Sequence, residues 1–166
     1  MAESKIEIDK YIDATCVDKE LLLKFFVVFS RFEYALKRAK YCKNSEAAMP
    51  DWEKFALACR ALNPEDTLRL KEVGRYLLDS PPEKQIYSAN LLSFAPIYFT
   101  DGTHVAEKLI RYVKTVRNNL FHGGKYPEKP VAEISRNPKL LNSSIDTLVF
   151  FLETNEKLRE LFVDVG

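Results

Sequence analysis

The residues best suited to chemistry fall in one run, Thr115-Val116-Arg117-Asn118-Asn119-Leu120-Phe121-His122-Gly123-Gly124-Lys125. An arginine offers a planar fork of donors that fits phosphate oxygens. A histidine exchanges a proton near neutral pH. Asn118 and Asn119 add neutral donors and acceptors. Gly123 and Gly124 allow close backbone approach, and Lys125 and Tyr126 could contact a phosphate or a base. Arg117 and His122 are five residues apart, roughly 140° of rotation and about 7.5 Å of rise on an ideal helix. They do not share one face cleanly, but a long arginine and an unwinding last turn could bring them to one ligand. The competing interpretation is an ordinary helix end, with cations facing the helix dipole before a glycine stop.

A long helix must carry this run. Val105, Leu109, Val113, Val116 and Leu120 step at helical spacing, so a helix opening at Asp101 or Thr103 and ending at Gly123-Gly124 is expected. His104, near its start, reads as a capping-turn or surface residue. Upstream, Asp18 caps a predicted helix to about Lys43, with an apolar row of Leu22, Phe26, Phe29 and Leu36. Glu33 falls in that row. A carboxylate there is either paired, if buried, or at the stripe's edge in solvent. Lys37, Arg38 and Lys40 form a basic cluster that reads as a solvated face or an RNA contact.

Pro50 or Asp51 opens a second helix through Trp52, Phe55 and Cys59 to Leu62; Trp52 is expected in the core, with base stacking as the alternative. Asn63-Pro64-Glu65 is a capping side chain followed by a first-turn proline, and opens a third helix that runs through Leu70, Val73 and Leu77. Residues 83–99 are dense in apolar side chains but broken by Pro96, so a short helix and then an irregular buried segment are expected; a strand at 97–100 would lack a partner. A loop from Lys125 to Arg136 precedes Asn137-Pro138, which repeats the cap-plus-proline signal. Leu141, Ile145, Leu148 and Leu152 form the last helix's row, extended by Leu158, Leu161 and Phe162. The expected fold is an all-α helical bundle of four to five main helices, in one domain over residues 18–166, with residues 1–17 as a tail or loose first turn.

Composition narrows the function classes. The chain has 166 residues, 46% hydrophobic and 12% aromatic, which fits a globular domain. A net charge of +1 gives no bulk sign of nucleic-acid binding, although 25 cations remain to form a local patch. Three cysteines without ligand spacing and two histidines make a metal centre an unfavoured expectation, and no cofactor is expected. The start lacks a signal-peptide core and the apolar run 21–29 is too short to span a bilayer, so a cytoplasmic protein without membrane partners is expected.

Arg117-Asn-Asn-Leu-Phe-His122 resembles the Arg-x4-His signature of the HEPN superfamily, the higher eukaryotes and prokaryotes nucleotide-binding domains. The longer string from Val116 to Lys125 is similar to the stand-alone and defence-associated bacterial branches, and Arg31-Phe-Glu-Tyr-Ala-Leu-Lys37 resembles their first long helix. The resemblance implies a homodimer with a composite active site and metal-independent endoribonuclease activity. RNA is then the substrate, cut to 2′,3′-cyclic phosphate and 5′-hydroxyl ends in toxin, stress or phage-defence settings. By the same resemblance Arg117 stabilises the phosphate charge, His122 is the general acid or base, Asn118 is the polar residue beside the arginine, and Glu33 is the acid from an earlier helix, with Arg117 as its expected partner. Asn119, Lys125 and Tyr126 are candidates for substrate contact. An antitoxin or other regulatory protein is a further expected partner. In the branch regulated by a nucleotidyltransferase antitoxin a tyrosine lies two residues after the histidine; here that position is Gly124 and the tyrosine is Tyr126. Some members bind nucleotide, RNA or protein without catalysis, which is the alternative function.

Overall fold

The computed structural model describes residues 8–44, 46–121 and 136–164. The predicted positions His122, Gly123, Gly124, Lys125 and Tyr126, and the loop that follows, lie outside them. The elements are α1 (Ile8–Asp13), α2 (Lys19–Arg38), α3 (Trp52–Ala58) with a 3-10 turn at Cys59–Ala61, α4 (Pro64–Val73), α5 (Arg75–Asp79), β1 (Lys84–Ser88), β2 (Leu91–Ala95), α6 (Val105–Phe121), α7 (Asn137–Glu153) and α8 (Glu156–Val163). The fold is mainly helical with one small two-stranded sheet. Among the described residues no helix is long and apolar enough to cross a membrane.

The long helix α7 is central. It lies against α2, α4, α5, α6 and α8, and its Leu141, Ile145, Leu148 and Leu152 are buried, as the apolar row anticipates. α2 starts where expected, with the Asp18 carboxylate accepting from the Leu21 N–H at 3.1 Å. It ends earlier than expected, because Lys40 takes a positive φ of 65° and the Tyr41 N–H closes back on the Leu36 carbonyl. Its buried row is Phe25, Phe29, Phe32 and Leu36, with Leu22 partly buried against the core, so the expected row differs at Phe26, which is 49% exposed. Phe32 stacks on Trp52 at 5.5 Å, and Phe55 sets its edge against Phe32 and Phe151. Trp52 is therefore a core residue.

Further differences each have a physical cause. The segment expected to be a short helix is the antiparallel hairpin β1–β2, paired from Lys84 with Ala95 to Ser88 with Leu91. Its two turn residues, Ala89 and Asn90, both have positive φ, as a tight two-residue hairpin turn requires. The third predicted helix is divided at Gly74, where a Cβ would come within 2.5 Å of the Leu109 methyls. α4 and α5 thus meet α6 where only hydrogen fits. The last helix breaks at Thr154, and Asn155 caps α8 by accepting from the Leu158 N–H. Asn137 is not a cap: it is the first residue of α7, and its buried amide nitrogen donates to the Thr15 carbonyl at 2.9 Å. That bond and the buried Val17 tie the turn after α1 to the core, so residues 8–17 are more than a loose tail.

Candidate functional site

The site is built at the C-terminal end of α6, where that helix passes α2. Helical rotation sends three consecutive side chains in different directions. Arg117 turns toward α2, Asn118 toward solvent, and Asn119 into the protein. The Arg117 guanidinium lies over the Phe29 ring at 5.6 Å and over the Phe121 ring at 5.0 Å, within cation–π range of both. Its Nη1 donates to Asn118 Oδ1 at 3.2 Å. Among the described residues no carboxylate pairs with it, so its charge is uncompensated and most of its donors are free for a ligand.

Glu33 does not pair with Arg117. Its Oε1 accepts the indole Nε1–H of Trp52 at 3.0 Å, and the residue is half-buried. The need for a partner was legible; the partner was not, because it comes from α3. Glu33 still belongs to the same neighbourhood. Trp52 lies beside Phe29 at 5.4 Å, and Phe29 carries the Arg117 guanidinium. The acid is thus linked to the arginine through two rings.

Asn119, a candidate for substrate contact, is 6% exposed and donates its amide to the Glu83 carbonyl at 2.8 Å. That bond hangs the base of the hairpin on α6. Asn118 is exposed and lines a polar cleft of about 370 Å³ beside Lys84, Arg111 and Lys114. Sequence reasoning missed Lys84, Arg111 and Lys114. Arg111, Lys114 and Asn118 fall at i, i+3 and i+7, a spacing that marks one helix face and could have identified two of the three cations.

Other charges lie outside the site. Arg38, from the predicted basic cluster, pairs with Asp164 at 2.8 Å, and Arg31 donates to the Phe162 and Asp164 carbonyls, so both fasten α2 to the end of α8. His104 Nδ1 accepts from the Ala106 N–H at 3.3 Å in the first turn of α6. Among the described residues no three His, Cys, Asp or Glu side chains form a group able to hold a metal ion.

The exposed side of α2 carries several large apolar side chains among Glu20, Lys24, Ser30 and Arg38. Leu23, Phe26, Val27 and Tyr34 form a surface stripe, and Phe26 meets the exposed Phe121 ring at 5.8 Å. The stripe therefore continues to the end of α6, next to Arg117. Searched against protein-family models, curated proteins and solved structures, the chain matches none of them.

Proposed function

We propose that this protein is a metal-independent endoribonuclease of HEPN type, working as a homodimer in a toxin, stress or phage-defence system. The observation that carries the reading is the state of Arg117: a guanidinium held on two aromatic faces, bonded to Asn118 and opposed by no carboxylate among the described residues. Such a group is ready for a phosphate, and its rigid seat lowers the cost of holding it there. The Arg-x4-His string and the mainly helical fold agree with the reading.

In this mechanism Arg117 stabilises the negative charge that grows on the phosphate as the ribose 2′-hydroxyl attacks phosphorus. His122 takes the 2′-hydroxyl proton or gives one to the leaving 5′-oxygen. A second copy supplies the matching pair, and the apolar stripe of α2 beside Arg117 is the surface through which the copies meet. Glu33 and Trp52 steady the ring beneath the guanidinium, while Asn118 orients it.

The test is cleavage of a labelled RNA in excess EDTA. Wild-type protein should cut and leave 2′,3′-cyclic phosphate ends. Arg117→Ala and His122→Ala should each reduce the rate by at least a hundredfold with an unchanged helical circular dichroism spectrum. Undiminished cutting by both variants overturns the mechanism, and loss of cutting on adding EDTA replaces it with a metal-dependent one.

One observation favours the alternative, a non-catalytic module that binds nucleotide, RNA or a partner protein. The candidate acid Glu33 is bonded to Trp52 and not to Arg117, and Asn119 serves the hairpin. On that reading RNA binds without turnover, and Arg117→Ala weakens binding only.

A further inference from the structure

The hairpin β1–β2 is an uncharged arm. Residues 85–100 contain no charged side chain, in a chain that is 30% charged. Tyr87, Leu91 and Leu92, at and beside the turn, are 63–71% exposed. Tyr87 and Leu92 are cross-strand partners on one face, and Leu91 is on the other. Soluble proteins commonly guard an exposed strand with lysine or proline. Here the first such residue, Pro96, comes only after β2 has ended.

The backbone points to what covers the arm. Asn119 holds its base through the Glu83 carbonyl, and β1 lies against α6, so β2 is the outer strand. Ser88 and Leu91 flank the two-residue turn and bond to each other. The next pair, Tyr87 and Leu92, therefore directs its N–H and C=O groups outward. Those of Leu92 have no partner among the described residues. Hydrocarbon cannot satisfy such groups, but another strand can.

β2 is complementary to itself. In an antiparallel pair of β2 strands about a two-fold axis at Leu92, each Leu92 N–H donates to the Leu92 carbonyl of the other copy. Opposed residues share a face, so one face then reads Tyr87–Leu92–Leu92–Tyr87 across four strands. On the other face Leu91 meets Ser93, and no charge lies in the contact. The exposed side chains and the strand between them bury on the order of 1,000 Å² over two copies, at the weak end of specific interfaces.

We infer that two copies of the chain pair through this arm, β2 against β2, to form one four-stranded sheet. The contact uses other elements than the α2 stripe and does not depend on RNA cutting. Its modest area places the pairing at concentrations above those of a cutting assay.

Sedimentation velocity on the whole chain, from assay concentration upward, tests this. Whatever assembly is present at assay concentration, its mass should at least double. Leu92→Glu and Leu92→Lys, at an exposed position, should each lose that step with an unchanged circular dichroism spectrum, because like charges then meet on the axis. Mixed in equal amounts, the two variants should regain it. Leu92→Cys should give an interchain disulfide on mild oxidation beyond that of wild type, whose Cys16 is also exposed; Cα atoms about 5.5 Å apart in a hydrogen-bonded pair suit one. Phe26→Asp should leave the concentration-dependent step in place, so a failure of the α2 surface and a failure of the arm are read separately. A wild-type mass that never rises, a step that survives both charged variants, or a mixture that stays unpaired overturns the inference. Binding to phosphatidylcholine or phosphatidylglycerol vesicles that is lost in Leu92→Glu, without any rise in mass, also overturns it and gives the arm to a lipid surface.

Discussion

Trp52 donates its indole N–H to the Glu33 carboxylate, joining α3 to α2 at 3.0 Å directly behind the ring that carries Arg117. The bond gives two glutamate substitutions opposite outcomes. Glu33→Gln keeps an oxygen acceptor for a tryptophan that is only 4% exposed, so stability and RNA cutting should stay near wild type. Glu33→Ala leaves the indole unsatisfied and should cost about 1–3 kcal/mol in urea denaturation, with slower cutting as the ring support loosens. If Glu33→Gln were as inactive as Arg117→Ala, Glu33 would be a catalytic acid or base and not a positioning residue.

The apolar stripe on α2 makes the dimer a separate question from the chemistry. Phe26→Asp puts a charge on a side chain that is half in solvent and touches Phe121. It should leave the melting temperature within a few degrees of wild type. In sedimentation velocity it should convert dimer to monomer, and cutting should fall with the dimer fraction. A wild-type protein that sediments as a monomer at assay concentration ends the composite-site reading.

Gly74 sets the spacing between the α4–α5 junction and α6. Its Cβ position lies 2.5 Å from both methyls of Leu109, which is fully buried, so the leucine would have to shift within the core. Gly74→Ala should therefore destabilise by about 1–3 kcal/mol as overpacking. Adding Leu109→Val should recover part of the loss, and denaturation midpoints of the two variants check it. Indifference to the alanine would mean that α6 shifts freely.

Acid should expose the ion pair that links the 3-10 turn to α6. Arg60 forms a two-point contact with Glu107, through Nε at 2.8 Å and Nη2 at 3.1 Å, and this holds the carboxyl below its ordinary value. A lowered folded-state pKa stabilises above the unfolded value, near 4.5, and the gain is lost as pH falls through the lower folded value. Glu53, held down mainly by Lys114, acts with the same sign. Urea midpoints of wild type should decline below about pH 4.5, and the decline should be shallower in Glu107→Gln. Arg60 is more than half exposed, so solvent screening keeps the difference small.

What could be read from sequence was what local chemistry determines. Asp18, Asp51 and Asn63 each accept a backbone N–H three residues on, as short polar side chains before an apolar repeat should. The α6 row from Val105 to Val116 is buried as its spacing required. The losses came where two local solutions are alike or where the deciding contact is distant. Phe25 and Phe26 are equally apolar, and only the bundle selects the first. The hairpin turn uses Ala89 and Asn90 in place of a glycine pair, so its positive φ values leave no strong mark in the sequence. At the site, Arg117 could be singled out by type, but its aromatic seat depends on Phe29, 88 positions away on α2. Glu33 could be flagged as needing a partner, whereas Trp52 could not be named from the same helix.

The chain carries one tryptophan, held between the Glu33 carboxylate and the Phe29 and Phe32 rings. Its emission therefore has a single address. Quenching or a spectral shift registers disturbance of the acid and of the ring beneath the guanidinium, so unlabelled protein carries its own optical gauge of the region next to Arg117.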